Sequence, residues 1–193
     1  KTKGTNGWNI LKPEPAARAF PSKNYPAETF HRDRDGNIWY IDQNQQLALF
    51  STNGHQKIPA DLKLPQIQVT ALAIDARGIL WIATTHQIVS WNGQEIEDHT
   101  PKDTTGLSDV QQMAFSGDGG LWVCGQQQLR KLFNGAWTAT ADADLLKASI
   151  SSRFFRLYGD SRGVAWVVSY GHGLLHALAD VTTHPLTKRD GLP

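Results

Sequence analysis

Asp75-Ala-Arg-Gly78-Ile-Leu-Trp81 is the stretch whose reading decides the fold, because the chain repeats it three more times. The copies are Asp33-Arg-Asp-Gly36-Asn-Ile-Trp39, Ser116-Gly-Asp-Gly119-Gly-Leu-Trp122 and Asp160-Ser-Arg-Gly163-Val-Ala-Trp166. All four align without gaps, and their tryptophans are 42, 41 and 44 residues apart. Glycine always stands three residues before the tryptophan, and aspartate stands six before it in all but the third copy. A fixed period of this size marks a repeat architecture, in which each copy is one supersecondary unit.

Each unit reads as four short strands. A first strand precedes the motif, as in Val69–Ile74, Val110–Phe115 and Phe154–Tyr158. The motif is a tight turn in which aspartate caps the backbone and glycine takes a positive φ. A second strand carries the tryptophan, as in Leu80–Ala83 and Leu121–Cys124, and a short polar loop leads on to a third. The third strands are Leu47–Phe50, Ile88–Trp91, Leu129–Phe133 and Leu174–Leu178. Asn53-Gly54, Asn92-Gly93 and Asn134-Gly135 mark a further hairpin before a more polar fourth strand, such as Gln94–Asp98 or Ala136–Thr140. No helical stripe of period 3.6 competes with this reading.

Four antiparallel strands in about 42 residues is the size of one β-propeller blade. The expected fold is therefore all-β, a propeller of four consecutive blades over approximately 27–64, 65–104, 105–147 and 148–187. Residues 1–26 read as the end of a preceding blade and 188–193 as the start of a following one. The whole of 1–193 is thus expected to be a fragment of a larger propeller. The start at Lys1 without an initiator Met, and Met113 as the sole methionine, fit an excerpt. Tryptophan on the second strand is expected to be inter-blade core, mostly buried in all four repeats.

Composition removes several function classes. With 19 basic and 18 acidic residues the formal net charge is +1, and no basic run exceeds Lys188-Arg189. No nucleic-acid partner and no membrane contact are therefore expected. No continuous apolar stretch reaches the length of a membrane span. Seven Trp and seven Phe supply enough apolar surface for an ordered core.

The motif Asp-x-x-Gly-x-Leu-Trp-Ile, followed by a small-residue loop and a Leu-x-x-aromatic-Asn-Gly strand, resembles the two-component regulator propeller repeat. Gly106-Leu107-Ser108-Asp109-Val110 is similar to the opening of a repeat in that family, and Asp190-Gly191-Leu192-Pro193 to the same opening cut short. Asn6-Gly7-Trp8 is similar to a blade end such as Asn134-Gly135-Ala136-Trp137. The Gly-Thr usual after the second strand is Ile41-Asp42, Ala83-Thr84, Cys124-Gly125 and Val168-Ser169 here. The resemblance implies a non-catalytic, ligand-sensing region of a membrane-bound bacterial signal-transduction protein. It also implies a periplasmic or extracellular position and an inner-membrane anchor, with a histidine kinase or diguanylate cyclase as output.

Catalytic chemistry finds little support in the residues. Asp33-x-Asp35-Gly36-Asn37 lacks the spacing and the bidentate Glu of a calcium loop. His172 and His176 would lie roughly 13 Å apart on a strand, which argues against a shared metal. Cys124 on a core strand reads as a small buried hydrophobe. No metal, no cofactor and no catalytic residue are expected.

The binding candidates come from the loops that join second to third strands, which gather on one face of a propeller. They are Gln43–Gln45, Thr85-His86-Gln87, Gln126-Gln127-Gln128 and Tyr170-Gly171-His172. His86, Gln87, Gln126, Gln127, Tyr170 and His172 are the candidate ligand residues. Amide, imidazole and phenol groups hydrogen-bond in both directions without a formal charge, which suits a neutral polyhydroxylated ligand such as an oligosaccharide. A propeller enzyme such as a lyase, and a protein-interaction scaffold, remain alternatives. A four-blade array leaves two end faces open. Self-association, a homodimer in the simplest case, is the expected relief, against a closed four-bladed ring. The segment Asn6–Leu11 is a further strand candidate for a blade edge.

Overall fold

A computed structural model describes residues 30–42, 44–51, 54–56, 58, 62, 68–102, 110–125, 128–138, 155–169, 173–177, 183–186 and 189. Among these residues sixteen strands form four sheets, each four-stranded, antiparallel and in chain order. Blade 1 holds β1 (Phe30–Arg32), β2 (Ile38–Ile41), β3 (Leu47–Ser51) and β4 (Gly54–Gln56). Blade 2 holds β5 (Val69–Ile74), β6 (Leu80–Thr84), β7 (Ile88–Trp91) and β8 (Ile96–Asp98). Blade 3 holds β9 (Gln112–Phe115), β10 (Leu121–Cys124), β11 (Leu129–Phe133) and β12 (Ala136–Trp137). Blade 4 holds β13 (Phe155–Gly159), β14 (Ala165–Ser169), β15 (Gly173–Ala177) and β16 (Thr183–Leu186). These are four consecutive propeller blades.

The repeated motif forms the β1–β2, β5–β6, β9–β10 and β13–β14 hairpins. In blade 1 the Gly36 amide donates to Asp33 O (3.2 Å) and the Asp33 amide to Asn37 O (2.9 Å). The same pair of bonds recurs at Gly78, Gly119 and Gly163, whose φ values match Gly36's within +84 to +89°. This is a turn closed by a residue in the left-handed region, where only glycine sits without strain. The aspartate carboxylate caps the turn by accepting from the amide four residues on, at 2.8 Å from Asn37, 2.8 Å from Ile79 and 3.0 Å from Val164. In blades 1 and 4 its second oxygen accepts the indole N–H six residues later, from Trp39 (2.9 Å) and Trp166 (3.2 Å). The six-residue spacing thus records a hydrogen bond.

Blade 3 solves the same turn differently. Ser116 replaces the aspartate, the Gly120 amide donates to Asp118 Oδ1 (3.0 Å), and the Trp122 indole donates to Gly163 O of blade 4 (3.2 Å). In blade 2, Arg77 Nε occupies Asp75 Oδ2 at 3.0 Å. The buried Trp81 N–H has no acceptor among the described residues.

Each tryptophan lies on the second strand of its blade. Trp39, Trp81 and Trp122 are buried and Trp166 is half-buried, so all four are mostly buried as expected, the one in blade 4 least so. The reason is the packing direction: each tryptophan faces the following blade. Trp39 meets Trp91 edge-on at 5.6 Å, and Trp81 meets Phe115 edge-on at 5.7 Å. Trp166 faces away from blade 3. The opposite face of each second strand meets the preceding blade, so Leu72, Ile82 and Val89 pack with Trp39 and Ile41. Both faces of β6 and β10 are covered, and every residue of either strand is buried.

Fourth strands lie outside this double cover, and β8 is exposed throughout. They are also shorter than expected. β8 begins at Ile96 because Asn92 Oδ1 takes the Gln94 and Glu95 amides at 2.9 Å each, keeping both residues in the turn. β12 ends at Trp137, and the Thr138 side chain accepts from the Lys131 amide (3.2 Å). Asn134 and Gly135 both have positive φ, the two-residue hairpin that Asn-Gly favours. Phe154, Asn53 and the segments 1–29 and 187–188 lie outside the described residues.

Blades 3 and 4 approach at backbone contact. The Gly117 amide donates to Asp160 O (2.7 Å), and a Cβ added at Gly159 would lie 2.4 Å from Phe115 O. Gly159→Ala is expected to separate the two backbones and cost about 3 kcal/mol, as overpacking does. Gly93→Ala meets open space at φ +98° and is expected to cost about 1 kcal/mol from backbone strain alone. Urea denaturation of the two variants measures the difference; equal losses contradict the close approach.

Candidate functional site

Among the described residues, the β2–β3 and β6–β7 loops, each joining a second strand to a third, are braced by side chains at their own ends. In the β6–β7 loop, Thr84 Oγ1 accepts from the His86 amide (3.3 Å) and the Gln87 amide (3.0 Å). The Thr84 amide donates to Gln87 O at 2.8 Å. In the β2–β3 loop, Asp42 Oδ1 accepts from the Asn44 amide (2.8 Å) and the Gln46 amide (2.9 Å). Gln45 stands at φ +59°, and its carbonyl accepts from Val69 of blade 2 (2.8 Å). His86 is exposed and Gln87 half-buried. Side chains offered from a braced backbone lose less entropy on binding a ligand.

His86 and Gln87 therefore share one loop at the expected end of the blade. Gln126, Gln127, Tyr170 and His172 lie outside the described residues, as does Gln43. His176 is placed on strand β15, where it pairs across with Trp166 and His184. Among the described residues no three His, Cys, Asp or Glu side chains gather as a metal cluster. No helix among them is long and apolar enough to cross a membrane. Cys124 is fully buried, and burial pushes its thiol far above the ordinary range, which leaves no thiolate for nucleophilic work.

One group escaped the sequence reading. His99 follows β8, and its ring stacks on Trp81 at 4.3 Å. Its Nε2 lies 2.9 Å from Ser90 Oγ and 3.7 Å from Glu97 Oε2, while its carbonyl accepts from the Trp137 indole (2.8 Å). Serine and carboxylate both approach the same ring nitrogen. A nucleophile–base relay needs them on opposite nitrogens, and Ser90 is itself buried. His99 therefore pins blade 2 to blade 3. It stands outside the repeated motif, so no periodic signal marks it.

Burial lowers the His99 pKa from its ordinary 6.5, with Glu97 and Asp98 opposing the shift. The unfolded chain then binds the proton more readily than the folded one. This group's share of stability is present above about pH 6.5 and declines as the pH falls below it. His99→Phe, which keeps a ring for the stack, is expected to lose less stability than the native chain between pH 7.5 and 5.5. Urea denaturation at both pH values checks this, and identical losses count against the pin.

A second pin joins blades 3 and 4. Lys131, 1% exposed on β11, donates from Nζ to Asp118 Oδ2 and to Gly163 O of blade 4 (2.9 Å). The ammonium also lies 5.2 Å from the centres of the Trp122 and Phe133 rings. Partial burial disfavours the Asp118 charge. The hydrogen bonds from Lys131, Ser116 and the Gly120 amide outweigh it and hold the carboxyl at about 2. That contribution is complete above the ordinary value of 3.8 and disappears as the pH falls toward 2. Asp118→Asn leaves Lys131 buried without its counter-ion and is expected to cost about 3 kcal/mol at pH 7. Chemical denaturation from pH 7 to 2 tests this, the variant losing less than the native chain between pH 4 and 2.

Fold and loop geometry together define an array of four β-propeller blades among the described residues. Residues 63–86, which contain β5 and β6, match the family model described as two component regulator propeller. The chain carries that repeat, as the sequence resemblance implied. No curated protein matches it in sequence. Among solved structures, it is similar to a catalytically inactive virginiamycin B lyase from Staphylococcus aureus crystallised with quinupristin. There the identity is 12% and the TM-score 0.61, covering 82% of this chain and 54% of that one. It is also similar to two extracellular domains from B. thetaiotaomicron. One is assigned to a one component system, at 18% identity and TM-score 0.59, covering 86% of this chain and 22% of that one. The other is assigned to a hybrid two component system, at 15% identity and TM-score 0.60, covering 85% and 23%. At these identities the likeness is one of fold. The chain spans about half the length of the lyase and less than a quarter of either extracellular domain.

Proposed function

We propose that this chain is a non-catalytic, ligand-sensing propeller region of a membrane-bound, two-component-type signal-transduction protein. It would work outside the cytoplasm, in the periplasm or beyond the cell, and pass a ligand-induced change to an output domain such as a histidine kinase. The observation that carries the reading is the two component regulator propeller repeat over residues 63–86. The extracellular domains of similar fold support it. The ligand expected at the loop end is a neutral small molecule, an oligosaccharide in first place. His86 and Gln87 would bind it with Gln126, Gln127, Tyr170 and His172 from the neighbouring loops.

The fold of virginiamycin B lyase favours a second reading, a propeller enzyme. Such an enzyme needs a base converging with a carboxylate or a metal at the loop end. His86, exposed there, is the one described histidine in a joining loop. Thermal unfolding with a panel of neutral oligosaccharides separates the two readings. At about a hundredfold excess over Kd a ligand stabilises the native state by about 2.7 kcal/mol. The sensor reading expects a raised Tm without turnover, abolished in the His86→Ala, Gln87→Ala double variant. Turnover of a panel member establishes the enzyme instead, and no shift with any glycan removes the oligosaccharide assignment.

A further inference from the structure

The start of β5 departs from a straight ladder. From Ile74 opposite Leu80 back to Ala71 opposite Ala83 it pairs with β6 residue for residue, and then Val69 rather than Thr70 stands opposite Thr84. Thr70 is thus the extra residue of a β-bulge, a device that re-aims side chains beside functional sites. Its Oγ1 is buried and has no hydrogen-bond partner among the described residues. The matching stretch of blade 4 runs straight. Ala73 pairs with Trp81 as Tyr158 does with Trp166, so Phe155 and Ser169 stand where Thr70 and Thr84 do, and those two pair directly. Both braced loops meet the bulge. The Val69 amide donates to Gln45 O of the β2–β3 loop at 2.8 Å, with Gln45 in the left-handed region at φ +59°. Thr84, opposite Val69, holds the His86 and Gln87 amides of the β6–β7 loop with its hydroxyl.

We propose that the start of β5 is a register switch through which occupancy of the loop end is passed to the seam between blades 1 and 2. The switch rests on the ligand-sensing reading of these loops. In the first state β5 is bulged, as in this structure. In the second it takes the register of blade 4, with Thr70 opposite Thr84. The bulged state leaves a buried hydroxyl unpaired and holds a non-glycine residue at positive φ, and the Gln45 O–Val69 bond offsets these costs. The straight state gives up that bond and sets two threonines across from each other, a pair whose hydroxyls hydrogen-bond. These opposing contributions keep the two states close enough in free energy for a ligand to choose between them. A ligand that draws the β2–β3 loop away from blade 2 takes Gln45 O off the Val69 amide and favours the straight register. The new Thr70 bond then engages the hydroxyl that braces His86 and Gln87, so the two loops respond together. Coupling runs through one two-state element that both loops bias. It ends in the core, because Val69 packs in the cluster of Trp39, Leu72 and Trp91.

Nuclear magnetic resonance on the isotope-labelled 193-residue chain tests the switch with no ligand present. Relaxation dispersion is expected to show exchange with a minor state at the Val69, Thr70 and Thr84 amides. Gln45→Gly relieves the positive φ, and Thr70→Val removes the unpaired hydroxyl while deleting the threonine pair. Each is expected to lower the minor-state population about tenfold. Gln45→Val, a β-branched residue at positive φ, is expected to raise it about tenfold. In that variant a cross-strand contact from Thr70 to Thr84 should replace the one from Val69 to Thr84. Absence of exchange at these amides, or populations indifferent to all three substitutions, overturns the switch. The panel of neutral oligosaccharides supplies the second arm, and a binding glycan is expected to move the native chain toward the straight register. A glycan that binds and leaves the register unchanged overturns the coupling while the sensing reading stands. Substitutions that shift the register as expected while no glycan binds support the switch and remove the oligosaccharide, so the two readings fail separately.

Discussion

The burial of one blade's tryptophan-bearing face against the aliphatic face of the next is the interaction on which the rest of this molecule depends. A four-stranded sheet of two- to six-residue strands cannot sequester a core by itself. Stacked, the inner strands gain cover on both sides: Ile82, Ala83, Val123 and Val167 reach zero exposure. Polar groups then tie each seam. Gln45 O meets the Val69 amide between blades 1 and 2, and the Trp137 indole meets His99 O between blades 2 and 3. The Gln112 side chain accepts from the Leu157 amide between blades 3 and 4. The Leu157–Gln112 bond is buried, so losing one of its partners costs more than the bond itself contributes.

The same constraint separates strands packed in seams from loops that face solvent. Every residue of the second strands β6 and β10 and of the third strand β7 is buried in a seam. In the β6–β7 loop the exposed His86 side chain lies off the seam and is available for recognition. Thr84 and Asp42 nevertheless brace those loops from inside. A rigid scaffold with braced, chemically variable loops is the arrangement a sensing module requires.

The fold was legible because the seam repeats. Tryptophan every 41 to 44 residues, glycine three before it and aspartate six before it report directly on turn closure and indole bonding. Strand type was plain for Val69–Ile74 and Ile88–Trp91, where runs apolar but for Thr70 and Ser90 reflect cover on both faces. The ends of the fourth strands were not legible, since the Asn92 carboxamide decides whether Gln94 and Glu95 belong to turn or strand. The Lys131–Asp118 pin was half visible. Lys131 shares a face with the buried Leu129, but its acceptor comes from a turn thirteen residues away. His99 had no signal at all, because its role arises from stacking on Trp81 eighteen residues upstream. At the loop end, residue type gave His86 and Gln87 their candidacy, and the Thr84 bonds that hold their loop were beyond any pattern.

Native-state amide hydrogen exchange resolves whether the seams or the ladders within each sheet hold the array together. If seams dominate, amides in β6, β7, β10 and β11 exchange slowest, at the rate of global opening, while those of β8 and β12 exchange quickly despite their ladder bonds. Uniform protection across all four strands of blades 2 and 3 would place the cohesion within the sheets and contradict this account.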